Sequence, residues 1–301
     1  MKEYDVIVVT IARDENVYLE EWVKYHIDIG VDKIHIYDNM SKIPLQQEID
    51  KLNIHYRSKV EVSLVSIQDF PQGDAYEQAF HTYREIVTWI AYLDIDEFLT
   101  IGTDTALSLK QLLKYYEGYR DIGALFLCWK NFNANGHISY EDKSVVERFV
   151  EEIPNEIFRD ACVGKSIMRA YHALQSGVHY PILRWGHLTK TNLVQTYHAH
   201  TAPCYDKLYI RHYYTKSYEE WLWKMKRGTC DYRARKKYSE FFLYNPELKE
   251  SCWEEEWKNI QMGYAHQEPS AIAVKEQPGW PLEVKWPGDK SEESEGNNGK
   301  N

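Results

Sequence analysis

Long hydrophobic runs and an excess of basic residues are both missing from this sequence of 301 residues. No apolar run approaches the roughly 20 residues that a membrane-spanning helix needs. Lysine and arginine number 36 against 46 aspartates and glutamates, which gives a formal net charge of −10. Because proteins that bind nucleic acid need a basic surface to displace counterions from phosphates, that class is excluded. The amino terminus shows no signal-peptide pattern, so the sequence favours a cytoplasmic protein.

Cysteine is scarce and irregularly spaced. The five cysteines are an odd number, and no two of them have the C-x-x-C spacing. This arrangement disfavours both a disulfide framework and a zinc site. The sequence therefore predicts buried, reduced thiols, which pack as small apolar groups.

Two glycine-rich phosphate-binding motifs are absent as well. The sequence contains neither G-x-G-x-x-G nor G-x-x-x-x-G-K-[ST]. The first absence argues against a dinucleotide site of the Rossmann type, and the second argues against a P-loop NTPase. Any nucleotide must therefore be bound by another arrangement.

Tyrosine and tryptophan are abundant, with 24 and 10 residues respectively. Each combines a flat apolar face with a polar edge, which suits the binding of sugars and nucleobases. The alternative is that these side chains simply fill the core. Composition alone does not separate the two interpretations.

The first 120 residues alternate between β-branched runs and amphipathic helical stretches. The runs are continuously apolar, which is typical of strands buried on both faces of a parallel sheet. The order βαβαβαβ predicts an α/β fold with an open sheet flanked by helices, and ligands then bind beyond the carboxyl ends of the strands. The four predicted strands cover residues 5–10, 33–37, 60–65 and 89–93.

The pattern changes after about residue 120, where longer irregular segments separate the strand-like runs. Ser217 and Glu220 form a capping box that opens a helix ending at Gly228. We expect a nucleotide-binding half over 1–120 and an α+β half over 121–265. A tail over 266–301 is expected to be largely disordered from about 285. The strand-like runs of the second half cover residues 122–129, 144–150, 162–170 and 207–214.

An acidic pair follows the fourth predicted strand. Asp94 and Asp96 lie two residues apart in Leu-Asp-Ile-Asp-Glu-Phe-Leu at 93–99. At a strand end two such carboxylates can converge on one hard cation, with phosphate oxygens completing the coordination. Mg²⁺ or Mn²⁺ held in this way would neutralise a diphosphate leaving group. The alternative is an ordinary surface loop, but the apolar flanks favour function, with Glu97 as a structural carboxylate.

Polar residues also follow the first two predicted strands. Arg13 could reach a phosphate as a planar fork, and Thr10 could hydrogen-bond a base or ribose. Asp14 and its neighbours could instead cap the next helix. Asp38 could accept a hydrogen bond from a base or a ribose hydroxyl, or it could form an Asx turn.

Several of these motifs occur together in one known family. They resemble glycosyltransferases of family 92 and their bacterial relatives in the family-2-like group, over roughly residues 5–228. The resemblance implies a GT-A fold, an open mixed sheet flanked by helices with an α+β acceptor half. It also implies inverting transfer of a hexosyl group from a UDP-sugar donor, with Mn²⁺ or Mg²⁺. The motifs are A-R-D-E-N-x-Y-L-x-E-W-V-x-Y-H-x-x-x-G-V-D at 12–32, I-Y-D-N-x-S at 36–41, L-D-I-D-E-F-L at 93–99, and S-Y-E-E-W-L-W-K-M-K-R-G at 217–228 preceded by Arg211-His212-Tyr213.

The resemblance also assigns roles to residues. Asp94 and Asp96 match the motif that binds the metal and the diphosphate. The nucleotide pocket is matched by Thr10, Arg13, Glu15 and Asp38. One departure is Asp14, which stands where the family often has asparagine and adds a negative charge near the phosphates.

A third metal ligand is expected in the second half, where enzymes with the GT-A fold often place a histidine. The stretch Lys165-Ser166-Ile167-Met168-Arg169, followed by His179, resembles the family's K-x-I-x-R…H pattern. His179 is therefore the first choice, and Lys165 is expected to offset phosphate charge. The rival histidines are His198, His200 and His212.

The acceptor site and the catalytic base are less sharply defined. Aromatic and amide side chains follow the strand at 122–129 and suit a sugar, although a glycine-asparagine turn would have the same sequence. Glu147 is a weak candidate for the base, because burial in an apolar strand would raise its pKa. A salt bridge to Arg148 is the alternative. The predicted acceptor residues are Trp129, Asn133, Asn135 and His137.

The sequence thus predicts a UDP-sugar-dependent glycosyltransferase that elongates a glycan or lipid-linked acceptor, in bacterial polysaccharide or lipopolysaccharide synthesis. A sugar nucleotidyltransferase is the first alternative, but it needs a basic glycine-rich loop after the first strand. The second is a non-catalytic carbohydrate-binding protein, which would not need Asp94 and Asp96. A basic cluster formed by Lys226, Arg227 and residues 233–237 is a hypothetical peripheral membrane contact, with a solvated helix face as the alternative.

Overall fold

A computed structural model describes residues 2–65, 71–154, 163–197, 202–228 and 238–249 of the chain. Three predictions fall outside this part of the chain. They are the disordered tail over 266–301, the rival metal ligands His198 and His200, and the basic run at 233–237. Within the described residues no helix is both long and apolar enough to cross a membrane.

The alternation predicted for the first 120 residues is confirmed. Strand β1 is buried without interruption from Val6 to Ala12, as its continuous apolar run predicts. The elements are β1 Tyr4–Ala12, α1 Asn16–Asp28, β2 Lys33–Asp38, α2 Gln46–Lys51, α3 Ile54–Arg57, β3 Val60–Leu64, α4 Pro71–Tyr83, β4 Val87–Tyr92, β5 Glu97–Ile101 and α5 Leu109–Glu117.

The second half contains short strands and three more helices among the described residues. Two 3-10 turns, Ala170–His172 and Pro246–Lys249, complete it. The elements are β6 Ile122–Asn131, α6 Val145–Arg148, β7 Gly164–Arg169, β8 Ala173–Gln175, β9 Ile182–Leu183, β10 His187–Lys190, β11 Gln195–Thr196, β12 Leu208–His212, α7 Tyr218–Arg227 and α8 Tyr238–Tyr244.

Strands of both predicted halves pair in one mixed sheet. Its order is β11-β10-β6-β7-β4-β1-β2-β3, and β12 pairs with β5 and β6. The pairs β1–β2, β1–β4, β2–β3, β6–β10 and β6–β12 are parallel. Strand β7 lies antiparallel between β4 and β6. The expected α/β class and open mixed sheet flanked by helices are therefore confirmed.

Alternate residues of β1 face two separate hydrophobic clusters. Val6 and Val8 pack in a cluster that also contains residues of α1 and α5. Ile7 and Val9 pack in another that contains residues of α4. Because successive side chains of a strand point to opposite faces, the central sheet is covered by helices on both sides.

Helix α7 packs outside the central sheet in a third cluster. Its capping box is present, since Ser217 and Glu220 each bond the other's backbone, and Gly228 follows its last residue. Trp221 and Leu222 bury one face of the helix against Phe241 of α8. The helix predicted from the sequence is thus confirmed.

Of the five cysteines, the structure describes Cys128 and Cys204. Both are buried, and neither forms a disulfide bond with a described residue. The prediction of buried, reduced thiols is therefore confirmed for these two residues.

The strand predicted over 144–150 is wrong. Val145–Arg148 form a four-residue helix, α6, whose first turn is held by a carboxylate from α1. Glu21 accepts hydrogen bonds from the Ser144 hydroxyl at 2.6 Å and from the Val145 amide at 2.8 Å. Free amides at a helix start need such an acceptor, and here it comes from 124 residues away in the sequence. Glu147 is exposed on this helix and lacks the burial for which it was chosen as a base.

Candidate active site

Several charged residues gather at the edge where β1, β2 and β4 have their carboxyl ends. Asp94 and Asp96 follow β4 directly. Strand β7 runs antiparallel to β4, so Lys165 near its amino end reaches the same edge. Strand β12 pairs with β5 so that His212 lies opposite Glu97. The topology therefore collects residues from both predicted halves at the edge where open α/β sheets bind ligands.

Asp94 is the accessible member of the acidic pair, with 38% of its side chain exposed. Its Oδ1 accepts hydrogen bonds from Gln72 at 2.9 Å and from the Tyr76 hydroxyl at 3.3 Å. Its Oδ2 accepts one from the Lys165 ammonium at 3.1 Å. Helix α4 and strand β7 thus fix the carboxylate where a ligand can reach it.

Lys165 is a buried ammonium between two carboxyl groups. Its Nζ lies 3.1 Å from Asp94 and 3.9 Å from Glu97. Burial alone would lower the pKa of Lys165, but the charge of Asp94 outweighs this effect and raises the pKa. The side chain therefore stays protonated and brings a positive charge to the site, as the sequence predicts.

Asp96 is the buried member of the pair. Its Oδ2 accepts a hydrogen bond from Lys224 of α7 at 2.5 Å, and its Oδ1 lies 3.9 Å from His212 Nε2. Burial alone would raise the pKa of Asp96, but Lys224 and His212 outweigh it and hold the pKa well below its usual range. Asp96 therefore stays ionised and connects the sheet to α7.

Glu97 is fully buried next to the pair. Its Oε2 accepts a hydrogen bond from the Asp94 amide at 2.9 Å, and its Oε1 has no partner among the described residues. Burial and the charges of Asp94 and Asp96 raise the pKa of Glu97 well above its usual value, against the opposing effect of Lys165. Glu97 is therefore a neutral structural group that fixes the backbone of the pair.

We expect the substitution Glu97→Gln to stabilise the protein increasingly as the pH rises. Folding forces Glu97 to take up a proton that the unfolded chain releases above about pH 4.5, so stability falls as the pH increases above that value. Glutamine keeps the carbonyl acceptor and has no proton to take up. Thermal unfolding at pH 5, 6.5 and 8 measures this. A gap in melting temperature between variant and wild type that shrinks toward pH 8 would contradict the assignment.

His212 is the histidine beside Asp96. Its ring stacks on Trp129 at 4.2 Å, and Nδ1 shares a 2.8 Å hydrogen bond with the Asn131 side chain. These contacts direct Nε2 toward Asp96. His179 lies against Trp129 in an edge-on contact, with Nδ1 bonded to the Gly164 carbonyl at 2.9 Å. For the third metal ligand predicted from the sequence, the structure therefore favours His212 over His179, which was the first choice.

The end of β1 and the turn after it carry two buried polar atoms without a hydrogen-bond partner among the described residues. They are Thr10 Oγ1 and Arg13 Nε. Asp14 takes a left-handed φ of 51° and accepts a hydrogen bond from the Lys42 amide. Glu15 forms an ion pair with Arg227 at 2.5 Å. Thr10 and Arg13 thus keep polar atoms free for a ligand, while Glu15 is already paired.

Asp38 holds a loop. Its Oδ1 accepts from the Ser41 amide and its Oδ2 from the Leu45 amide, both at 2.9 Å. This is the Asx turn that the sequence left open as an alternative to ribose binding. The carboxylate therefore shapes the loop after β2.

The predicted acceptor residues are only partly brought together. Trp129 lies in the site, stacked on His212. Asn133 accepts from the Asn135 amide at 2.8 Å, and Asn135 takes a left-handed φ of 48°. His137 pairs with Glu141 at 3.3 Å. Residues 133–137 therefore form a turn, which was the alternative to an acceptor site in the sequence analysis. The turn supports α6 and α8.

Most of the chain matches the sequence model of one protein family. The profile of Glycosyltransferase family 92 matches residues 8–252, most of the chain. The chain belongs to glycosyltransferase family 92. The family resemblance inferred from the sequence motifs is thereby confirmed.

Plant members of family 92 are among the relatives. A family 92 protein of Oryza sativa subsp. japonica is 27% identical over 191 residues, which is 60% of this chain and 31% of that protein. One of Arabidopsis thaliana is 23% identical over 188 residues, or 58% of this chain and 32% of that protein. The chain therefore spans about a third of the length of these relatives.

Among solved structures, Staphylococcus aureus TarS resembles part of this family 92 chain. The complex of TarS residues 1–349 with UDP-GlcNAc has a TM-score of 0.36 and 13% identity, covering 55% of this chain and 45% of that one. The complex with UDP has a TM-score of 0.34 and 12% identity, covering 55% and 47%. The similarity to TarS is too weak to support an assignment, so membership in family 92 rests on the match over residues 8–252.

Three cations of the candidate site were not predicted there from the sequence. Lys216 and Lys224 were not singled out, and Arg227 was grouped with a membrane-facing cluster. Arg227 instead pairs with Glu15, and its side chain is only 13% exposed. The available signal was the spacing of Lys216, Glu220, Lys224 and Arg227, which places them on one face of α7 and its approach.

The acidic pair does not offer an open position for a metal ion as it stands. Among the described residues no group of three histidine, cysteine, aspartate or glutamate side chains could hold one. Asp94 is bonded to Lys165 and Asp96 to Lys224, so both carboxylates already have ammonium partners. Mn²⁺ or Mg²⁺ therefore does not fit this arrangement, and metal dependence stays a prediction.

Proposed function

We propose that this family 92 chain transfers a sugar from a UDP-sugar donor to a hydroxyl group of a glycan acceptor. The observation that carries the proposal is the charged cluster at the carboxyl edge of the sheet, in which Asp94 and Asp96 stand beside Lys165 and Lys224. The cluster occupies the edge where α/β sheets of this kind bind nucleotides. Membership in a glycosyltransferase family supplies the class of reaction.

The chemistry needs a group that stabilises negative charge on the leaving diphosphate. In the transfer the acceptor oxygen bonds to the anomeric carbon, the bond from that carbon to the diphosphate oxygen breaks, and the acceptor proton goes to a base. Charge develops on the departing UDP, and fixed ammonium groups in a partly buried site stabilise it. Lys165 is buried at this position and stays protonated, so it suits the role. We propose a single displacement, which inverts the anomeric configuration.

The aromatic surface near the cluster supports a sugar ligand. Trp129 lies against His212, which in turn lies against Asp96. A flat aromatic face packs well on the apolar face of a hexose, and neighbouring carboxylates and imidazoles bond its hydroxyls. We place the donor or acceptor sugar next to Trp129, on the side of the acidic pair. The predicted bacterial surface-polysaccharide product stays a prediction, since the relatives compared above are plant proteins.

Binding of UDP tests the proposal. We expect UDP to raise the melting temperature in a concentration-dependent way, because a ligand at 100 times its Kd adds about 2.7 kcal/mol to the free energy of unfolding. ADP and GDP at the same concentration serve as controls for base recognition. Differential scanning fluorimetry with an isothermal titration measures the effect. Absence of a UDP response, with binding of glycans alone, would contradict the proposal and favour a carbohydrate-binding protein.

A further inference from the structure

Lys216 is a buried ammonium that lacks the partner its neighbours have. Only 4% of the residue is exposed, and among the described residues no carboxylate lies within ion-pair distance of its Nζ, while the nearby cations each have one. The ammonium lies 4.2 Å from the centre of the Tyr18 ring. Its basic neighbours each have a carboxylate partner: Lys165 with Asp94, Lys224 with Asp96, Arg227 with Glu15, and Arg148 with Glu220.

Lys216 differs from these four cations in its distance from carboxylates. Each of the four lies within ion-pair distance of a carboxylate, whereas Glu15, Asp96 and Glu220 act on Lys216 only from beyond that distance. An ammonium has three donors and no acceptor, and leaving it buried without a hydrogen-bond acceptor is unfavourable. An anionic ligand would supply the missing acceptor.

Lys216 also lies at a cavity next to the end of β1. The cavity has a volume of about 20 Å³, and its charged lining consists of the carboxylates of Asp14, Glu15 and Glu220 and the cations of Lys216, Lys224 and Arg227. This volume takes one oxygen-sized group. The cavity thus lies between the turn that carries Arg13 and the lysine that bonds Asp96.

The backbone at Lys216 adds a third observation. Its φ is +54°, in the left-handed region that non-glycine residues rarely adopt. The next residue, Ser217, is fixed by the capping box of α7, so the strained conformation is held in place. Burial also lowers the pKa of Lys216, although Glu15 and Asp96 partly offset it. Strain and an unpaired charge at one residue are typical of a functional position.

We propose that Lys216 binds an anionic oxygen of the donor's diphosphate, with its Nζ as the hydrogen-bond donor. This inference rests on the proposed function and adds a specific residue to it. The diphosphate places one oxygen at the cavity, beside Lys224. Lys216 thus contributes to binding of the phosphates and makes no contact with the uracil base.

Lys216→Met tests the assignment, because methionine has a similar length and shape and carries no charge. We measure the affinity of wild type and variant for UDP and for uridine by isothermal titration. A lost hydrogen bond to a charged group is expected to weaken UDP roughly 10- to 100-fold. Uridine has no phosphate, so its affinity should not change. The matched control is Lys226→Met on the exposed face of α7, which should bind UDP like wild type.

The melting temperature without ligand separates this role from a structural one. Removing an unpartnered buried charge should leave the melting temperature of Lys216→Met equal to or above that of wild type. A lower melting temperature, an unchanged affinity for UDP, or an equal loss of UDP and uridine affinity would overturn the assignment. A wild type that does not bind UDP would overturn the proposed function together with it.

Discussion

Replacing Arg148 by methionine should lower the free energy of unfolding by about 3–5 kcal/mol, the usual effect of removing one member of a buried ion pair. Arg148 donates two hydrogen bonds to Glu220, at 2.7 and 2.9 Å, and both side chains are almost completely buried. Burial alone would raise the pKa of Glu220, but Arg148 outweighs it and lowers the pKa. The variant would leave this carboxylate charged and unpaired in the core.

The same carboxylate holds three parts of the chain together. Glu220 accepts hydrogen bonds from the Ser217 hydroxyl at 2.6 Å, which opens α7, and from the Tyr18 hydroxyl of α1 at 2.8 Å. Loss of Arg148 therefore affects α1, α6 and α7 together. Since Lys216 and Lys224 reach the site from this region, we expect reduced ligand binding as well as reduced stability.

Thermal unfolding measures this effect, with an expected decrease of roughly 6–20 °C in melting temperature at pH 7. The double variant Arg148→Met/Glu220→Gln should recover part of the loss, because it removes the unpaired charge. Arg57→Met changes an exposed arginine and is the matched control. The gap should shrink as the pH falls, because the unpaired Glu220 of the folded variant takes up a proton at a pH at which the wild-type carboxylate, whose pKa Arg148 lowers, is still ionised. A decrease of only a degree or two, without recovery in the double variant, would show that the pair contributes little.

Replacing Asp94 by asparagine should reduce sugar transfer by about 100- to 1000-fold, the usual cost of removing one electrostatic group from an active site. Asparagine keeps the size and the acceptor oxygen that Gln72 uses, so the change is mainly one of charge. The charge holds Lys165 in place at 3.1 Å, and the metal ion predicted from the sequence would also depend on it. Both roles require a carboxylate, so both predict the loss.

Asp142→Asn, at an exposed position on another loop, is a matched control for the chemical change and should leave transfer unaffected. Circular dichroism and the melting temperature show whether Asp94→Asn is folded. Wild-type activity in EDTA, with and without added Mn²⁺, then separates the two roles of the carboxylate. Loss of activity in EDTA supports the predicted metal dependence, and full activity supports charge stabilisation by the lysines.

The strands of the central sheet were predicted well from the sequence. Each is a continuous apolar run, which can be recognised from its own residues without knowledge of contacts to other segments. The sequence also predicted that Asp94 and Asp96 follow the end of a strand, since both come after such a run. The error over 144–150 has a different origin. Val145 and Val146 favour a strand locally, but the helix there depends on Glu21, which lies in another element.

Lys216 and Lys224 were missed for the same reason, since their contacts join segments that are distant in the sequence. The carboxylate partner of Lys224 is 128 residues away in the sequence, and the pairing becomes visible only when α7 is placed against the sheet. Asp38 was predicted to bind a ligand because it lies at the end of a strand. Its carboxylate instead accepts hydrogen bonds from two backbone amides close to it in the sequence. Contacts between distant segments decide which polar residues at this edge are open to a ligand.

Release of UDP from a panel of UDP-sugars, with and without glycan acceptors, tests the central claim most directly. The account predicts that the wild type turns over at least one UDP-sugar, that an acceptor accelerates the release, and that Asp94→Asn is nearly inactive with the same donor. Turnover that is equal in wild type and Asp94→Asn, or a folded wild type that neither binds nor cleaves any UDP-sugar, would contradict it.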